Sequence, residues 1–512
     1  MSEDNVGTPL ANSVGLVTQS PLAFALVLVG LYWAQKIIRG ADSSRPPRTP
    51  YWIPWVGNAV EMGKDPDGFF SNMTKTLGPI FRVTTLGQER VFVTSPSLIS
   101  QVYRDSQTNV SQNFDFLAVR VEIGRQAFSI DDRVGTTPYM FDNYMPALHH
   151  ILLPANIKSM TSTYLQSAHD TLVGAISSLD GASGPLKTII IPPAYRAAAH
   201  AGFGPDFPAE KTWKGFTTFD ESFHMINAGL PRFLFRKQFQ AWEGVTDIIQ
   251  AYLEEKKDEV HELSPFLQAA LDGRQAGWAC RFATERDISI ILATQLWALQ
   301  ANAIWAAYWL VAELLQQPDG LAPLVAELDA VRKQWQAAHP STPFGPAFFD
   351  DMIVSNPKDV PLLSSAIQET LRYSSSTFSM RHVTAPVQLG GYELRPGEKV
   401  ICVTRQTHLD EDIYPRANEL DIRRYLDLPR PVKDGKPVPN HFMAFGGGVS
   451  MCEGRHFAMT ELRLFVAILL TYATLEVDEG CTTRPELSRE RMGLGIMHAN
   501  GDMDVILRKR KL

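Results

Sequence analysis

The sequence predicts a mainly α-helical protein with a small β subdomain, preceded by one hydrophobic N-terminal segment. Apolar residues recur at helical spacing through residues 150–375, whereas residues 387–403 alternate around Gly-Gly and Pro-Gly turns in the manner of short hairpins. Residues 14–34 carry no charged side chain. No long linker, charge block or repeat divides the chain after residue 60, so we expect one large globular unit although the chain has 512 residues.

The N-terminal segment is long enough to span a bilayer. Four basic residues follow it between positions 36 and 48, while Glu3 and Asp4 precede it, and the positive-inside rule therefore predicts a lumenal N-terminus and a cytosolic body. A cleaved signal peptide is the alternative, but the basic region that such a peptide needs is missing.

A proline-rich stretch follows the apolar segment and predicts a stiff, extended hinge. We therefore expect three regions: a lumenal N-terminus and transmembrane anchor over residues 1–40, a hinge over residues 41–60, and a catalytic domain over residues 61–512.

Composition excludes two classes of protein. The formal net charge of -7 argues against a general nucleic-acid binder, which would carry a basic surplus. The four cysteines show no Cys-x-x-Cys spacing, so we expect reduced thiols rather than a disulfide framework; they are Cys280, Cys402, Cys452 and Cys481.

Residues 288–312 form a second run without a charged side chain, and by length this run could cross a membrane. Gln295, Gln300 and Asn302 weaken that interpretation. A long helix through the centre of a large domain is also hydrophobic on all sides, and we predict a core helix here.

A glycine-rich loop near the C-terminus delivers one cysteine to the start of an apolar helix. The loop reads Phe-Gly-Gly-Gly-Val-Ser-Met-Cys-Glu-Gly from Phe445 to Gly454. The glycines from Gly446 onward allow close backbone approaches, and the helix start directs N–H groups toward Cys452, which should favour a thiolate. A single thiolate cannot build a zinc or iron–sulfur site, but it can be the axial ligand of a heme iron. A buried structural cysteine beside an ordinary turn is the alternative.

Two segments upstream carry a second pattern. Glu369 and Arg372 stand three residues apart, which places carboxylate and guanidinium on one helix face. About fifty residues later, Tyr-Pro at 414–415 leads to a segment that contains Arg424. An isolated ion pair on the surface is the alternative for the first two residues.

In their order along the chain, the Glu369–Arg372 pair, the segment from Tyr414 to Arg424 and the glycine-rich loop resemble the heme-thiolate cytochrome P450 superfamily. The resemblance extends over residues from about 45 to 512. The resemblance implies the cytochrome P450 fold and heme b, with Cys452 as the iron ligand. It also implies that Arg424 joins Glu369 and Arg372 in a buried network, which must be mutually hydrogen-bonded to survive burial. In that family the thiolate pushes electron density toward the iron and favours O–O cleavage.

The same resemblance implies further heme contacts. Phe445 and Gly446 would pack near the sulfur, Ala301 would contact the heme from the central helix, and Arg381 would bind a propionate. Ser450 stands where a basic residue is common, and we find no Trp-x-x-x-Arg segment earlier in the chain. We therefore expect the heme propionates to be bound by fewer residues than is usual in the family, or by different ones.

The central helix departs from the usual family pattern. Ile304 and Trp305 stand where most members place an acid and an alcohol that relay protons. Residues 297–303, 407–415 and 493–497 are similar to the sterol 7α/12α-hydroxylases of bile-acid synthesis and to prostacyclin synthase, which also lack that pair.

This similarity implies two catalytic candidates. We expect the Trp305 ring to restrict the volume over the iron, and Asn302 to be the polar group nearest the distal pocket, although an Asn satisfied by its helix neighbours is an alternative. Ile304, Phe378 and Leu494 would line the substrate pocket.

The sequence therefore predicts a single-pass endoplasmic-reticulum membrane protein with a cytosolic heme-thiolate monooxygenase domain. We expect a bulky apolar substrate such as a terpenoid or sterol, and electrons from NADPH through a separate NADPH-cytochrome P450 reductase, since the chain has no dinucleotide-binding glycine motif. Arg455 is a candidate for the reductase docking surface. The alternative is a reductase-independent isomerase or dehydratase acting on a peroxide or oxygenated intermediate, and a heme-binding sensor or carrier is a third class.

Overall fold

The computed structural model describes residues 42–106, 113–135, 144–256, 264–275 and 283–512, together with positions 30 and 140. The predicted membrane anchor lies outside the described residues except for Gly30, and so does Cys280. The other three cysteines are free thiols, as expected.

Helices dominate the described chain, and most of the long ones fall within residues 150–375 as predicted, the exception being Arg455–Tyr472. In chain order the α-helices are α1 Ala59–Lys64, α2 Pro66–Leu77, α3 Pro96–Arg104, α4 Leu117–Phe128, α5 Asp132–Gly135, α6 Met145–Ile151, α7 Lys158–Ser178, α8 Leu186–Phe203, α9 Ala209–Asp220, α10 Phe223–Asn227, α11 Arg236–Lys256, α12 Pro265–Gln275, α13 Glu285–Gln300, α14 Ala303–Leu315, α15 Ala322–Ala338, α16 Pro346–Phe349, α17 Pro361–Ser374, α18 Thr404–His408 and α19 Arg455–Tyr472. Short 3-10 or π turns cover Arg232–Phe235, Asp350–Ser355, Pro357–Asp359, Gly448–Ser450 and Arg489–Arg491.

The strands are short and form one larger sheet and several small ones. They are β1 Ile80–Thr85, β2 Gln88–Val93, β3 Phe114–Asp115, β4 Ser183–Pro185, β5 Ser375–Val383, β6 Val387–Leu389, β7 Tyr392–Leu394, β8 Lys399–Val403, β9 Val432–Lys433, β10 Lys436–Pro437, β11 Ala473–Val477, β12 Glu486–Leu487, β13 Leu494–Ile496, β14 Ala499–Asn500 and β15 Asp504–Lys509.

The larger sheet has the order β1-β2-β8-β5-β13, with β3 also paired to β5. Strands β2 and β8 are parallel, and the other pairs in this sheet are antiparallel. The predicted hairpin is present as β6 and β7, where Gly390 and Gly391 adopt φ values of +59° and +85° that favour glycine.

The apolar run that we assigned to a core helix lies in the core. Counted as one span, Glu285–Leu315 is the one helix among the described residues that is long and apolar enough to cross a membrane, yet half of its most apolar window is buried inside the protein. Every side chain from Ala306 to Ala312 is buried. The run is not one continuous helix, however, because α13 ends at Gln300 and α14 begins at Ala303.

A buried ionic network joins α17 to the segment after α18. Arg372 donates through Nε and Nη2 to the Glu369 carboxylate at 2.8 and 2.7 Å, and Arg424 Nε donates to the same carboxylate at 2.9 Å. The Glu369 and Arg372 side chains are 0% exposed. Carbonyl oxygens of His408 and Ala417 accept the remaining Arg372 donor at 2.7 Å each. The structure thus brings together the three residues that the sequence paired, and it satisfies their charges by hydrogen bonding.

We predict that this network stabilises the fold. Replacing Arg372 by Ala leaves the Glu369 carboxylate buried with half of its partners, which costs about 3–5 kcal/mol. Urea denaturation of the purified protein should show that loss, or no folded protein should be recovered. The matched control is Arg125→Ala, because Arg125 and its partner Asp132 are both exposed and such pairs contribute at most about 1 kcal/mol. Equal stability of the two variants would contradict the prediction.

Candidate active site

One large cavity lies between the sheet and the helices, with a volume of about 1180 Å³. Its wall is formed by the β1–β2 hairpin, α4, α10, α13, α14, β5, the loop before α19 and the segment 489–496. Apolar side chains provide most of this wall. Such a volume exceeds the usual 300–1,000 Å³ of a small-molecule site, so the cavity has room for a large prosthetic group together with a substrate.

Cys452 lines this cavity from the loop of residues 445–454, which we call the cysteine loop. The Cys452 N–H donates to the Phe445 carbonyl at 2.8 Å and closes the loop. A Cβ atom at Gly446, where φ is +74°, would lie 2.8 Å from the Ser450 carbonyl oxygen. A Cβ atom at Gly447 would lie 2.4 Å from the ring of Tyr103. Glycine is therefore required at both positions for the loop to close and to pack on α3.

The electrostatics of Cys452 differ from the expectation. Burial raises the pKa of the Cys452 thiol above its ordinary value, although the Gly454 N–H and Arg455 act in the opposite direction. The Gly454 N–H at the helix start thus favours the thiolate, as expected, but the effect of burial on the Cys452 pKa is larger. A bound metal cation deprotonates a coordinating thiol outright, and iron ligation would supply the missing stabilisation.

Neither of the other two cysteines that the structure describes lines the cavity. Cys402 is fully buried in β8, where burial raises its pKa to about 12. Cys481 lies near the surface beside Asp504. Cys452 is thus the cavity cysteine of the described chain.

Arg381 occupies a buried site directly behind the cavity wall. Its guanidinium donates to the hydroxyl oxygens of Ser106 and Ser379 at 3.1 Å each and to that of Ser450 at 2.8 Å. Ser379 and Ser450 line the cavity, whereas Arg381 itself does not. Ser450, which stands where a basic residue is common, therefore lies between Arg381 and the cavity. A propionate would contact the Ser450 hydroxyl group, which in turn is bound by Arg381.

Arg120 is a cavity residue that the sequence analysis missed. It lines the cavity from α4 and donates to the Met145 sulfur at 3.2 Å, and its guanidinium lies 5.9 Å from the ring of Phe116, another cavity residue. Among the residues that the structure describes, neither Arg120 nor Arg381 forms an ion pair with a carboxylate. The signal in the sequence was an aromatic residue four positions before an arginine, with Phe116 in the place of tryptophan.

Four of the predicted contact residues lie where expected, and two do not. Phe445, Gly446, Phe378 and Leu494 line the cavity. Ala301 and Ile304 are buried and face away from it, so their assignment to the heme and substrate contacts is corrected. After the interruption of the helix, Ala303 and Ala306 are the residues of α14 that face the cavity beside Asn302.

Trp305 also lies outside the cavity wall, so its ring does not restrict the cavity volume. The ring stacks on His498 with 4.3 Å between centroids and an interplanar angle of 21°, and it meets Tyr308 edge-on. The Lys187 ammonium lies 5.5 Å from the Trp305 ring centroid. The predicted catalytic role of Trp305 is therefore corrected to packing between α14 and the C-terminal segment.

Asn302 does line the cavity, at the interruption between α13 and α14. Its side-chain oxygen accepts the backbone N–H of Ile496 at 2.8 Å. The partner of the amide is thus a distant segment, and the alternative in which helix neighbours satisfy Asn302 is not observed for this oxygen.

A second buried ion pair, absent from the sequence analysis, holds the cavity wall together. Arg491 donates to the Asp220 carbonyl at 2.6 Å and to its carboxylate at 3.2 Å, and the Trp297 indole N–H donates to the same carboxylate at 2.8 Å. The contact joins α9, α13 and the segment before β13. No local spacing marks it, because its members are separated by tens to hundreds of positions.

The residues around the cavity fit heme b. Cys452 would supply one sulfur ligand, and Phe445, Gly446 and Ser450 of the cysteine loop line the cavity beside it. Arg120 and Arg381 form no ion pair in the described chain, and burial of such a charge is costly until an anion pairs with it. The two propionates of heme b are anions of the required kind.

Comparison with known proteins agrees with this site. The sequence profile of the family "Cytochrome P450" matches residues 47–128 and 211–503. Cholesterol 7-alpha-monooxygenase of Cricetulus griseus is 25% identical over 501 residues, which cover 94% of this chain and 96% of that protein. Prostacyclin synthase of Rattus norvegicus is 24% identical over 502 residues, covering 91% of this chain and 94% of that protein.

A solved structure shows the same fold. The crystal structure of the cytochrome P450DA heme domain has a TM-score of 0.70 at 16% identity, over 91% of this chain and 98% of that chain. The predicted likeness to sterol hydroxylases and prostacyclin synthase is confirmed by the relatives, and the predicted fold by the solved structure. The chain belongs to the cytochrome P450 family and is an oxidoreductase with heme b as its cofactor.

Proposed function

We propose that the protein is a membrane-bound monooxygenase that hydroxylates a bulky apolar substrate of the sterol or terpenoid class. The observation that carries the proposal is the cavity itself, which combines the thiol of Cys452 with a wall made mostly of apolar side chains and a volume of about 1180 Å³. Relatives whose names describe sterol oxygenation support the substrate class.

The residues around the cavity would have different roles in such a site. Heme b supplies dioxygen activation when it is bound. Cys452 would ligate the iron, with Phe445 and Gly446 shaping the loop around the sulfur, and Arg120 and Ser450 would bind the propionates. Phe378 and Leu494 offer apolar contacts to the substrate, and Asn302 would position a proton donor in the cavity. Glu369, Arg372 and Arg424 hold the framework behind the loop.

Electrons would come from NADPH through a separate NADPH-cytochrome P450 reductase. Val449 and Met451 of the cysteine loop are exposed, and the Arg104 side chain at the end of α3 is 69% exposed. Arg455 follows the loop at the start of α19. Two arginines beside exposed apolar groups suit an acidic docking partner.

Exposed apolar residues support attachment to a membrane in addition to the predicted anchor over residues 1–40. Trp52 and Trp55 are 86% and 64% exposed, and Phe233 and Leu234 are similarly exposed. Trp55 also lines the cavity, together with Met225 and residues 227–231. We propose that these residues contact the endoplasmic-reticulum membrane from its cytosolic side, so that an apolar substrate enters the cavity from the bilayer.

The second candidate is a reductase-independent isomerase acting on a peroxide or oxygenated intermediate. The likeness to prostacyclin synthase favours it, since this relative matches the chain almost as fully as the sterol hydroxylases do. Electron demand and the source of the product oxygen separate the two reactions.

We expect Cys452→Ser to abolish the long-wavelength band of the ferrous carbonyl complex, because that band reports a thiolate ligand. Cys402→Ser is the matched control, since Cys402 is buried in β8 and does not line the cavity. A retained band in the first variant together with a lost band in the second would move the ligand to Cys402.

Arg120→Ala should lower the heme content of the purified protein, because the variant loses a cation that lines the cavity and forms no ion pair in the described chain. The ratio of heme absorbance to protein measures the loss. Arg104→Ala serves as the control, because Arg104 is exposed and outside the cavity. An unchanged ratio in Arg120→Ala would remove Arg120 from the proposed propionate contacts.

Turnover of a sterol and terpenoid panel should require NADPH and reductase, and the product should carry one atom from labelled dioxygen. Asn302→Ala should lower product and raise hydrogen peroxide, because oxygen chemistry stalls without a positioned proton donor. Trp305→Phe is the control, since this ring lies outside the cavity. Efficient conversion without reductase, NADPH or label would establish the isomerase instead.

A further inference from the structure

We propose that the segment Gly495–Met497 is a positioning element for Asn302, and that it turns the amide so that the site selects ligands with a hydrogen-bond-accepting oxygen. The inference rests on the proposed function only in that the ligand occupies the cavity lined by Cys452. It concerns recognition of the substrate rather than the reaction. Gly495, Ile496 and Asn302 all line that cavity.

The orientation of the Asn302 amide follows from its partner. A backbone N–H can only donate, and the Ile496 N–H lies 2.8 Å from the side-chain oxygen of Asn302. The amide oxygen therefore points at Ile496, and the NH₂ group occupies the other position. Within the described part of the chain, this NH₂ group has no hydrogen-bond acceptor. Two donor hydrogens are thus available to a ligand in the cavity.

Gly495 makes this close approach possible. Its φ is +112°, which side chains rarely tolerate, and a Cβ atom built there would lie 2.1 Å from the Asn302 side-chain oxygen and 3.0 Å from its Cγ. Any larger residue must displace either the amide or the strand. Glycine at this position is therefore required by the Asn302 contact as well as by the backbone.

The segment is itself held firmly to the protein. Strand β13 pairs with β5 through Ile496 and Ser375, and the Met497 N–H donates to the Ser374 carbonyl at 3.0 Å. From the other side, the Trp309 indole N–H donates to the Met497 carbonyl at 2.6 Å. Strand β13 is thus fixed to both β5 and α14, so the Ile496 N–H is a rigid donor and Asn302 has little freedom to rotate.

The chemical consequence is a preference between ligands of equal shape. A ligand oxygen beside Asn302 accepts an N–H, whereas a hydrocarbon there leaves the NH₂ group without a partner in an apolar cavity, which is unfavourable. A ketone, ether, peroxide or hydroxyl oxygen would meet the requirement. The class of substrate is thereby narrowed to apolar molecules that already carry an oxygen function near the reacting end.

The test compares 2-adamantanone with adamantane, which differ in shape only by the carbonyl oxygen. Dissociation constants are measured by ligand-induced shifts of the heme spectrum, without NADPH or reductase. The ratio of the adamantane constant to the ketone constant is determined for the wild type, Asn302→Leu, Gly495→Ala and Gly501→Ala. Gly501 is the matched control, because its φ is also positive at +76° and it does not line the cavity.

We expect the ratio to fall about five- to tenfold in Asn302→Leu and in Gly495→Ala, the range that one hydrogen bond supplies, and to stay unchanged in Gly501→Ala. A Gly495→Ala protein with normal heme content and the wild-type ratio would overturn the positioning role. A wild-type protein that binds neither probe, or that shows the ratio of Asn302→Leu, would overturn the selection.

Hydrogen–deuterium exchange provides a second measurement that does not need the glycine variant to fold. In Asn302→Leu, the peptide that carries Ile496 should exchange faster, because the Ile496 N–H loses its acceptor, while peptides from α19 should be unchanged. Equal exchange in both proteins would overturn the contact. Since neither experiment involves turnover, a failure of the monooxygenase proposal would appear only in the reductase and label experiments.

Discussion

The carboxylate of Glu369 holds two buried guanidinium groups, and the shape of the cysteine loop depends on that contact. Arg372 is also bound to the residue that contacts this loop, because its Nη1 group donates to the His408 carbonyl at 2.7 Å. The His408 ring then accepts the Met443 N–H at 2.9 Å, and the Met443 carbonyl accepts the N–H of Gly446 at 3.0 Å. A continuous path of hydrogen bonds therefore connects the ionic network to the loop that carries the sulfur.

This path also explains why His408 has to be neutral. A ring nitrogen that accepts an N–H cannot carry a proton, and burial together with Arg372 and Arg405 holds the pKa of His408 well below its usual value. Its contribution to stability is present at neutral pH and is lost as the pH falls toward that depressed pKa, because the unfolded chain binds the proton first. The loop geometry thus rests on a balance of two guanidinium charges, one carboxylate and one uncharged imidazole.

Local spacing was sufficient to predict the parts of the site that lie close together in the chain. The cysteine loop, the Glu369–Arg372 pair and the hairpin after residue 387 depend on glycine backbone angles and on helix periodicity, both of which can be read from short segments. The side of the central helix that faces the cavity could not be read in this way. The helix is interrupted at Asn302, whose side chain accepts the N–H of the distant Ile496, and Ile304 and Trp305 lie outside the cavity wall.

Of the two unpaired arginines at the cavity, Arg381 was predicted from the sequence, whereas Arg120 escaped prediction for a related reason. In a sequence, a Trp-x-x-x-Arg motif is recognised only by its residue types and their spacing. The motif at Arg120 was missed because Phe116 stands in the place of tryptophan. What distinguishes Arg120 and Arg381 from the many paired arginines of the surface is that neither forms an ion pair in the described chain, which is a tertiary property. The carboxylate that acts on Arg120 is that of Glu453, which also lines the cavity. Arg381 is fully buried with only neutral oxygen acceptors, so its charge is incompletely compensated by the chain.

Because these arginine charges are incompletely compensated, we expect the stability of the folded protein to depend on the cofactor. An anionic prosthetic group that pairs with Arg120, and with Arg381 through the Ser450 hydroxyl, would bind the folded state and not the unfolded one, so its binding free energy would add to the stability of the protein. The same reasoning applies to the sulfur, because burial raises the pKa of Cys452 until a cation binds it. Heme b would bring an iron cation to the Cys452 sulfur and carboxylates to Arg120, so its binding would stabilise the folded protein.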